Sequence, residues 1–247
     1  MKKATVILIG LFCSVLTVNA QKKKENTISN ALTAQQKKEG WQLLFDGKST
    51  IGWHEFNKPV LGSSWKAVDG SLHLDSSKKA DWKSENGGDI VYDKAYRNFH
   101  FKIDWKISKG GNSGIIFYVQ EDKKYEYPWY TGIECQVTDN QNSEDGKIDK
   151  CRAGDLYELV SCTKDVVKGA GQWNHLEIIS NNGKLKVIIN GSKVIVTTIW
   201  NENWNRLIAG TKFKDMPGFG RFRSGKIALQ DHGADVWYRN IMIRELK

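Results

Sequence analysis

The chain alternates apolar and polar residues along much of its length. Between residues 98 and 108 every second side chain is apolar: Phe99, Phe101, Ile103, Trp105 and Ile107. Successive side chains of a β-strand point to opposite faces of a sheet, so this period of two predicts a strand with one buried face.

Further strands and turns follow the same pattern. Strands are predicted over residues 113–120, 132–139, 173–180, 184–189, 192–197, 225–230 and 235–246. Asn190-Gly191 favours a type I′ hairpin turn, because both central residues of that turn need a positive φ. Thr33 and Gln36 form a capping box, which predicts one short helix over 33–39. Short strands with almost no helix predict an antiparallel sandwich or barrel in a single domain.

The start of the chain has the pattern of a secretory signal peptide. Lys2 and Lys3 precede an apolar run, and Ala20 ends a small-residue cleavage site. We therefore expect residues 1–20 to be removed, residues 21–35 to form a polar linker, and residues 36–247 to fold as one domain. No later stretch is long and apolar enough to span a bilayer. The expected product is secreted or periplasmic, without membrane insertion.

Composition and charge exclude several classes of protein. The 247 residues include ten Trp and 23 Gly but only three Pro, which excludes a disordered or collagen-like chain. The net charge is +9, and the loss of Lys2 and Lys3 lowers it to +7. Residues 22–40 contribute +3 of that charge, and no basic stripe follows in the +4 that remains. We therefore expect no nucleic-acid partner.

Three cysteines remain after the predicted cleavage. They are Cys135, Cys151 and Cys162. An odd number excludes a complete disulfide framework, and a pair between Cys151 and Cys162 is left open. No Cys or His spacing typical of a structural zinc site is present.

One predicted strand carries the first candidate chemistry. Ile133, Cys135 and Val137 share one face, whereas Glu134 and Gln136 share the other. A carboxylate beside an amide suits a sugar-binding groove. An ordinary solvent-facing strand has the same pattern, so the two interpretations stay open here.

His232 and Asn112 are further candidates. His232 follows a predicted strand and precedes Gly233, where an imidazole could enter a cleft and act as a general acid or base. A loop histidine bonded to a carbonyl is the structural alternative. Asn112 lies in a Gly-Asn-Ser-Gly turn and could bond sugar hydroxyls, or only form the turn.

Aromatic loops are candidates for stacking against a sugar ring. Trp129 lies in the run Tyr-Glu-Tyr-Pro-Trp-Tyr just before the strand of Glu134, and we expect it to form one wall of a substrate cleft. Trp200 and Trp204 lie in a second polar loop and come next. Trp105 is expected in the core, because it falls on the apolar phase of its strand.

Several familiar catalytic patterns are missing. The chain has no G-x-S-x-G elbow, no G-x-G-x-x-G loop and no H-E-x-x-H helix. It also lacks the spaced carboxylates that a conventional two-carboxylate glycosidase uses.

The sequence resembles the 3-keto-disaccharide hydrolase domain family, long catalogued as a domain of unknown function. The resemblance covers residues 36–247 in order. Its matching segments are 40–47, 52–53, 65–70, 99–105, 111–115, 132–139, 153–157, 173–174, 190–191 and 225–243. The ordered set is specific, although no single motif in it is.

The resemblance implies an all-β fold, a concanavalin A-like β-sandwich (jelly roll) of two antiparallel sheets. It also implies hydrolysis of glycosides that carry a ketone at carbon 3 of the sugar. Such a ketone acidifies the proton on carbon 2, so one base can remove it. The leaving group at carbon 1 then departs by elimination, and water adds to the resulting enone. This site needs a base, a proton donor and a group that stabilises the enolate oxygen.

The implied roles fall on polar residues within or beside the predicted strands and turns. Acid and base catalysis is assigned to Glu134 and His232. Candidates for binding substrate, besides Trp129, are Gln136, Asn112, Lys212, Asp104, Asp231, Tyr157 and Arg239. No cofactor is required, although a divalent metal held by Glu134, His232 and an Asp could stabilise the enolate instead. The expected partner is an oxidised oligosaccharide or glycoside, and no oligomeric state is predicted.

Other functions compete with this one. A conventional sandwich-fold glycosidase would place two carboxylates a few Å apart in its cleft. A non-catalytic carbohydrate-binding module would have aromatic and amide side chains there without a base, and a structural domain would have no cleft. The fold alone does not distinguish among them.

Overall fold

Two antiparallel β-sheets form the body of the protein. The computed structural model describes Met1 and residues 30–247, so the predicted signal peptide and most of the predicted linker lie outside the described residues. The larger sheet has eight strands and the smaller has five. Apolar residues from both sheets form one continuous core between them. The predicted all-β sandwich is confirmed.

Fifteen strands are present in the described residues. In chain order they are β1 (Trp41–Leu43), β2 (Trp53–Glu55), β3 (Trp65–Val68), β4 (Ser71–Leu74), β5 (Lys79–Ala80), β6 (Lys83–Ser84), β7 (Ile90–Tyr92), β8 (Phe99–Ile107), β9 (Asn112–Val119), β10 (Ile133–Thr138), β11 (Asn174–Asn181), β12 (Lys184–Ile189), β13 (Ser192–Thr198), β14 (Lys226–Leu229) and β15 (Val236–Glu245). The larger sheet has the order β13-β12-β11-β8-β15-β4-β3, with β1 also paired to β15. The smaller sheet has the order β10-β9-β14-β7-β2, and β5 and β6 form a separate hairpin.

The part of the chain that the structure describes has few helices, and each of them is short. Helix α1 (Ala34–Lys38) has the predicted capping box, in which Thr33 and Gln36 bond each other's backbone N–H groups. A second helix, α2 (Glu202–Ala209), begins after the N-cap Asn201 and was not predicted. Trp204 and Ile208, one helical turn apart, anchor it in the core. Single 3₁₀ turns occupy Pro128–Tyr130, Asp145–Lys147 and Lys212–Asp215.

The alternation of residues sets which side chains enter the core. Ile133, Cys135 and Val137 of β10 are fully buried between the sheets. Glu134 and Gln136 therefore lie on the outer face of the smaller sheet, as the period of two predicts. Pairing with β9 sets Gln136 opposite Gly114, so the register places the polar residues of both strands together.

A network of charged side chains covers the outer face of the larger sheet. Asp104 of β8 accepts hydrogen bonds from His175 Nδ1 at 2.6 Å and Asn240 Nδ2 at 2.7 Å, and Arg239 Nε lies 3.4 Å away. His175 also faces Glu177 at 3.6 Å. These pairs join the three central strands β11, β8 and β15 across the sheet.

Two smaller observations complete the fold. Cys151 and Cys162 are both free in the structure, as is Cys135, so the pairing left open by the sequence is not formed. Among the described residues, no helix has the length and apolarity needed to cross a membrane.

The coupling between His175 and Asp104 should depend on pH. Hydrogen bonds that His175 donates to the carboxylates of Asp104 and Glu177 raise its pKa to about 9, above about 6.5 in an unfolded chain. The stabilisation of the folded state by protonated His175 is therefore complete below about pH 6.5, and it is lost as the pH rises through about 9. The His175 side chain is 40% exposed, so we expect a coupling of only about 1 kcal/mol at pH 6. A double-mutant cycle of unfolding free energies with His175→Gln and Asp104→Asn measures it, and a coupling that is equal at pH 6 and pH 10 would contradict this origin.

Candidate active site

A cavity of about 360 Å³ opens on the outer face of the smaller sheet. Its lining residues are Trp82, Asn112, Trp129, Glu134, Gln136, Asp145, Tyr157, Lys212, Phe213, Met216, Gln230 and His232. Seven of the ten predicted site residues are among them, although they are up to 120 positions apart in the chain.

Glu134 lies on the floor of this cavity. Its position on β10 is opposite Ile116 of β9, and its carboxylate leans over Gly114. A Cβ atom at residue 114 would collide with Glu134 Oε1. Glycine at this position leaves room for the close approach of the carboxylate, in the same Gly-Asn-Ser-Gly segment that the sequence singled out.

The Glu134 carboxyl is buried without a hydrogen-bond partner among residues 30–247. The residue is 7% exposed. Burial raises its pKa to about 8, the Asp89 carboxylate adds to the rise, the Lys212 ammonium opposes it, and Asp145 adds a smaller rise. A desolvated carboxyl with a pKa near the working pH is typical of a group that exchanges protons during catalysis.

Asp145 organises the two amides of the cavity. Its Oδ2 atom accepts hydrogen bonds from Asn112 Nδ2 at 2.7 Å and Gln136 Nε2 at 3.2 Å. The side-chain oxygen of Gln136, Oε1, accepts a hydrogen bond from the backbone N–H of Val137. Asn112 Oδ1, in contrast, is buried without a partner among the described residues. Each amide therefore has a second N–H that Asp145 does not engage, and both side chains line the cavity.

The Lys212 ammonium is the positive charge of the cavity lining. Among the described residues, Lys212 is the only lysine or arginine that lines the cavity. Its Nζ lies 3.0 Å from Glu158 and 4.5 Å from the centre of the Tyr157 ring. Burial, followed by the charge of Asp145, raises the pKa of the Tyr157 phenol, so the phenol remains a hydrogen-bond donor.

The other walls hold the histidine and the aromatic rings. His232 follows β14, is exposed at the cavity wall, and its ring centre lies 5.6 Å from that of Trp82. Trp129, in the turn Pro128–Tyr130, stacks on Tyr127 with ring centres 5.0 Å apart. The sequence placed Trp129 beside the strand of Glu134, and the structure brings both to one cavity.

Three predicted substrate-binding residues lie elsewhere. Asp104 and Arg239 belong to the network on the outer face of the larger sheet, on the opposite side of the sandwich from the cavity. Asp231 is fully buried, and its carboxylate accepts hydrogen bonds from the backbones of Ser84, Gly88 and Gly233. Its role is structural: it ties three loops together and has no surface to offer a substrate.

The second aromatic loop is also not part of the cavity. Trp204 is 1% exposed and donates its indole N–H to the Gly220 carbonyl at 3.1 Å, so the prediction that it stacks on a sugar is wrong. Trp200 packs on Tyr118 with ring centres 5.2 Å apart and lines a separate surface pocket.

Several residues of the site were not predicted. Asp145, Trp82, Phe213 and Met216 come from turns and loops between strands, where no periodicity marks a facing direction. Gln230 lies at the end of the predicted strand 225–230, and the sequence assigned it no role. Asp89 precedes β7 and is buried close enough to Glu134 to raise its pKa.

The described residues do not form a ready metal site. No group of three or more His, Cys, Asp or Glu side chains among residues 30–247 has the arrangement to hold an ion. The set suggested from the sequence, Glu134 and His232 with an Asp, does not converge on such a point.

Comparisons with known proteins agree with the fold. The chain matches the family described as the 3-keto-alpha-glucoside-1,2-lyase-like domain over residues 40–244. A protein of Bacteroides thetaiotaomicron named 3-keto-disaccharide hydrolase is 31% identical over 229 residues, which are 84% of this chain and 79% of the relative. The crystal structure of a proposed glycosyl hydrolase from Parabacteroides distasonis is 33% identical, with a TM-score of 0.80 over 89% of this chain and all of that one.

More distant structures share the fold alone. A carbohydrate-binding module of Bacillus subtilis is 14% identical, with a TM-score of 0.50 over 78% of this chain and 96% of the module. A galectin-like protein of Bacillus subtilis is 12% identical, with the same TM-score over 89% of this chain and 95% of that one. These neighbours confirm the galectin-like, jelly-roll sandwich.

The fold, the cavity and the relatives together define a glycoside hydrolase-type enzyme that acts on a carbohydrate. Within that class, the chain belongs to the 3-keto-alpha-glucoside-1,2-lyase-like family. The resemblance drawn from the sequence is confirmed.

Replacing Gly114 should disable the site while the fold persists. In Gly114→Ala the new methyl group displaces the Glu134 carboxylate, and a displacement of about 1 Å can cost about 100-fold in rate. We expect a loss of that order in turnover of a 3-keto-disaccharide, the substrate class in the relative's name. Gly169→Ala is the matched control, because a Cβ there meets no atom closer than 3.9 Å. Equal activity of the two variants would show that the carboxylate position is not critical.

Proposed function

We propose that this protein cleaves 3-keto-glycosides and 3-keto-disaccharides by base-assisted elimination, followed by hydration, outside the cytoplasm. The observation that carries the proposal is the Glu134 carboxyl, which is buried in the cavity without a hydrogen-bond partner among residues 30–247. The names of the family and of the relative, 3-keto-alpha-glucoside-1,2-lyase and 3-keto-disaccharide hydrolase, support the same substrate class.

Glu134 acts as the base in this mechanism. Its carboxylate takes the proton from carbon 2, and the electron pair of that C–H bond moves toward the ketone at carbon 3 to form an enolate. The enolate then collapses to a double bond between carbons 1 and 2, and the bond from carbon 1 to the glycosidic oxygen breaks. Addition of water to the enone completes a net hydrolysis. No hydrogen bond to the Glu134 carboxylate from residues 30–247 has to break before it accepts the proton, and this favours its role as the base.

Other residues of the cavity supply the remaining functions. The Lys212 ammonium is the cation available to stabilise the enolate oxygen. His232 can protonate the departing glycosidic oxygen, because it lies at the wall of the same cavity. Asn112 and Gln136, both held by Asp145, offer N–H groups to sugar hydroxyls, and Trp129 offers a ring face.

A conventional glycosidase is the second candidate. Glu134 and Asp145 both line the cavity, and two carboxyl groups are what hydrolysis of an unoxidised glycoside needs. In that mechanism Glu134, with its raised pKa, would be the general acid and must carry its proton. Asp145, however, is already engaged by two amides, which favours the elimination mechanism.

The pH dependence of kcat/KM separates the two mechanisms. If Glu134 is the base, the limb of the kcat/KM profile that reports its ionisation rises as the pH passes through about 8, because kcat/KM reports ionisation of the free enzyme. If Glu134 is the general acid, kcat/KM falls as the pH rises through the same value. The pH profile of kcat/KM, measured on 3-keto-trehalose and on trehalose itself, distinguishes the two mechanisms.

Lys212 should set the position of that rise. Its ammonium lowers the pKa of Glu134, so in Lys212→Met the rise in kcat/KM moves to higher pH. Lys214→Met, two positions along the same exposed turn and outside the cavity, is the matched control. An unmoved profile in Lys212→Met would show that the ammonium does not act on Glu134.

Removing the proposed base or acid should affect chemistry more than folding. Acid–base groups contribute about 100-fold to 10,000-fold in rate, so we expect Glu134→Gln to lose at least about 100-fold in kcat on 3-keto-trehalose. His232→Ala should lose less kcat on substrates with a good leaving group than on substrates with a poor one. Glu202→Gln, on exposed helix α2, serves as the control. Full turnover in both Glu134→Gln and His232→Ala would refute the assigned roles.

A further inference from the structure

We propose that a smaller cavity beside the active-site cavity is a second carbohydrate subsite, which holds the neutral sugar that leaves from carbon 1. This cavity has a volume of about 180 Å³. Its lining residues are Glu55, Phe56, Lys58, Trp82, Lys83, Gly88, Asp89, Glu126 and Tyr127. The inference rests on the proposed function and adds the place and chemistry of the leaving group.

A row of aromatic rings connects the two cavities. Trp82 lines both of them. Its ring centre lies 5.8 Å from that of Tyr127, in the smaller cavity, and 5.6 Å from that of His232, in the larger one. Tyr127 in turn stacks on Trp129 of the larger cavity, with planes within 6° of parallel. A disaccharide that crosses this row would meet ring faces in both cavities.

The junction also matches the chemistry of the glycosidic bond. Glu134 in the larger cavity must face carbon 2 of the oxidised ring, so that ring belongs there. The glycosidic oxygen is one bond beyond carbon 1, toward the leaving sugar, and needs a proton as the bond breaks. His232, the proposed donor, lies beside Trp82 where the two cavities meet.

The smaller cavity has the donors and acceptors that hydroxyl groups need. Asp89 is buried, and the Glu55 side chain is 14% exposed and paired with Lys58 Nζ at 2.5 Å. Gly88 leaves room for this arrangement, because a Cβ there would lie 2.5 Å from Glu55 Oε1. Lys83 adds a second ammonium. Carboxylates accept hydrogen bonds from hydroxyls, and ammonium groups donate to them.

This lining favours a neutral sugar over other leaving groups. An apolar aglycone would cover the carboxylates of Asp89 and Glu55 without offering a hydrogen bond, which is costly for buried polar groups. An anionic group would meet three carboxylates against two ammonium groups. A ring rich in hydroxyls satisfies the polar groups and stacks on Trp82 and Tyr127.

Two substrates that differ only in the leaving group test the subsite. Methyl 3-keto-α-glucoside reaches only the larger cavity, whereas 3-keto-trehalose would occupy both. We expect Tyr127→Ala and Glu126→Gln to lower kcat/KM about tenfold on 3-keto-trehalose, mainly through KM, and less than about twofold on the methyl glycoside. Glu126→Gln keeps every aromatic ring, so it remains informative if Tyr127→Ala disturbs Trp129.

A neighbouring surface carboxylate provides the control, and two different outcomes would overturn the subsite or the proposed function. Asp122→Asn alters an exposed carboxylate of the same loop that lines neither cavity, and it should affect both substrates equally and little. Equal losses on both substrates in Tyr127→Ala and Glu126→Gln would overturn the subsite. Failure of the unaltered protein to turn over either keto substrate would instead overturn the proposed function.

Discussion

One constraint governs the site: the Glu134 carboxyl, on the floor of the cavity, is largely buried and has no hydrogen-bond partner among residues 30–247. A buried carboxylate with no donor is unfavourable, so Glu134 favours its protonated form and its pKa rises. The fold maintains this burial because Ile133, Cys135 and Val137 fix β10 in the core. A slip of one residue would turn Glu134 into the core. Gly114 gives the carboxyl its space on the neighbouring strand.

A second carboxylate, Asp231, holds the surroundings of the site together. It accepts hydrogen bonds from Ser84 at the end of the β5–β6 hairpin, from Gly88 just before β7, and from Gly233 just after β14. Those three segments carry Trp82, Asp89 and His232 respectively. Removing this fully bonded buried carboxylate would leave several backbone N–H groups unpaired, which is expensive inside a protein. Asp231 thus positions the walls of both cavities without touching a ligand.

The sequence predicted the part of the site that strand geometry determines. Glu134 and Gln136 share a face because of the period of two, and pairing of β9 with β10 brings Asn112 beside them. The same alternation suggested Asp104 and Arg239, which lie on the other sheet, because alternation separates two faces without telling which sheet a strand joins. Asp145, Asp89 and Trp82 come from loops, whose positions depend on hydrogen bonds between distant residues such as those of Asp231. Helix α2 was missed because its short amphipathic stretch was interpreted as an aromatic loop.

The central claim is that Glu134 removes the proton from carbon 2 of a 3-keto sugar. The most direct measurement compares kcat/KM for 3-keto-trehalose with hydrogen or deuterium at carbon 2 of the oxidised ring. The account predicts a normal primary isotope effect at this carbon, and no turnover of unoxidised trehalose. Equal rates for the two isotopic substrates, together with rapid hydrolysis of trehalose, would contradict it and establish a conventional glycosidase.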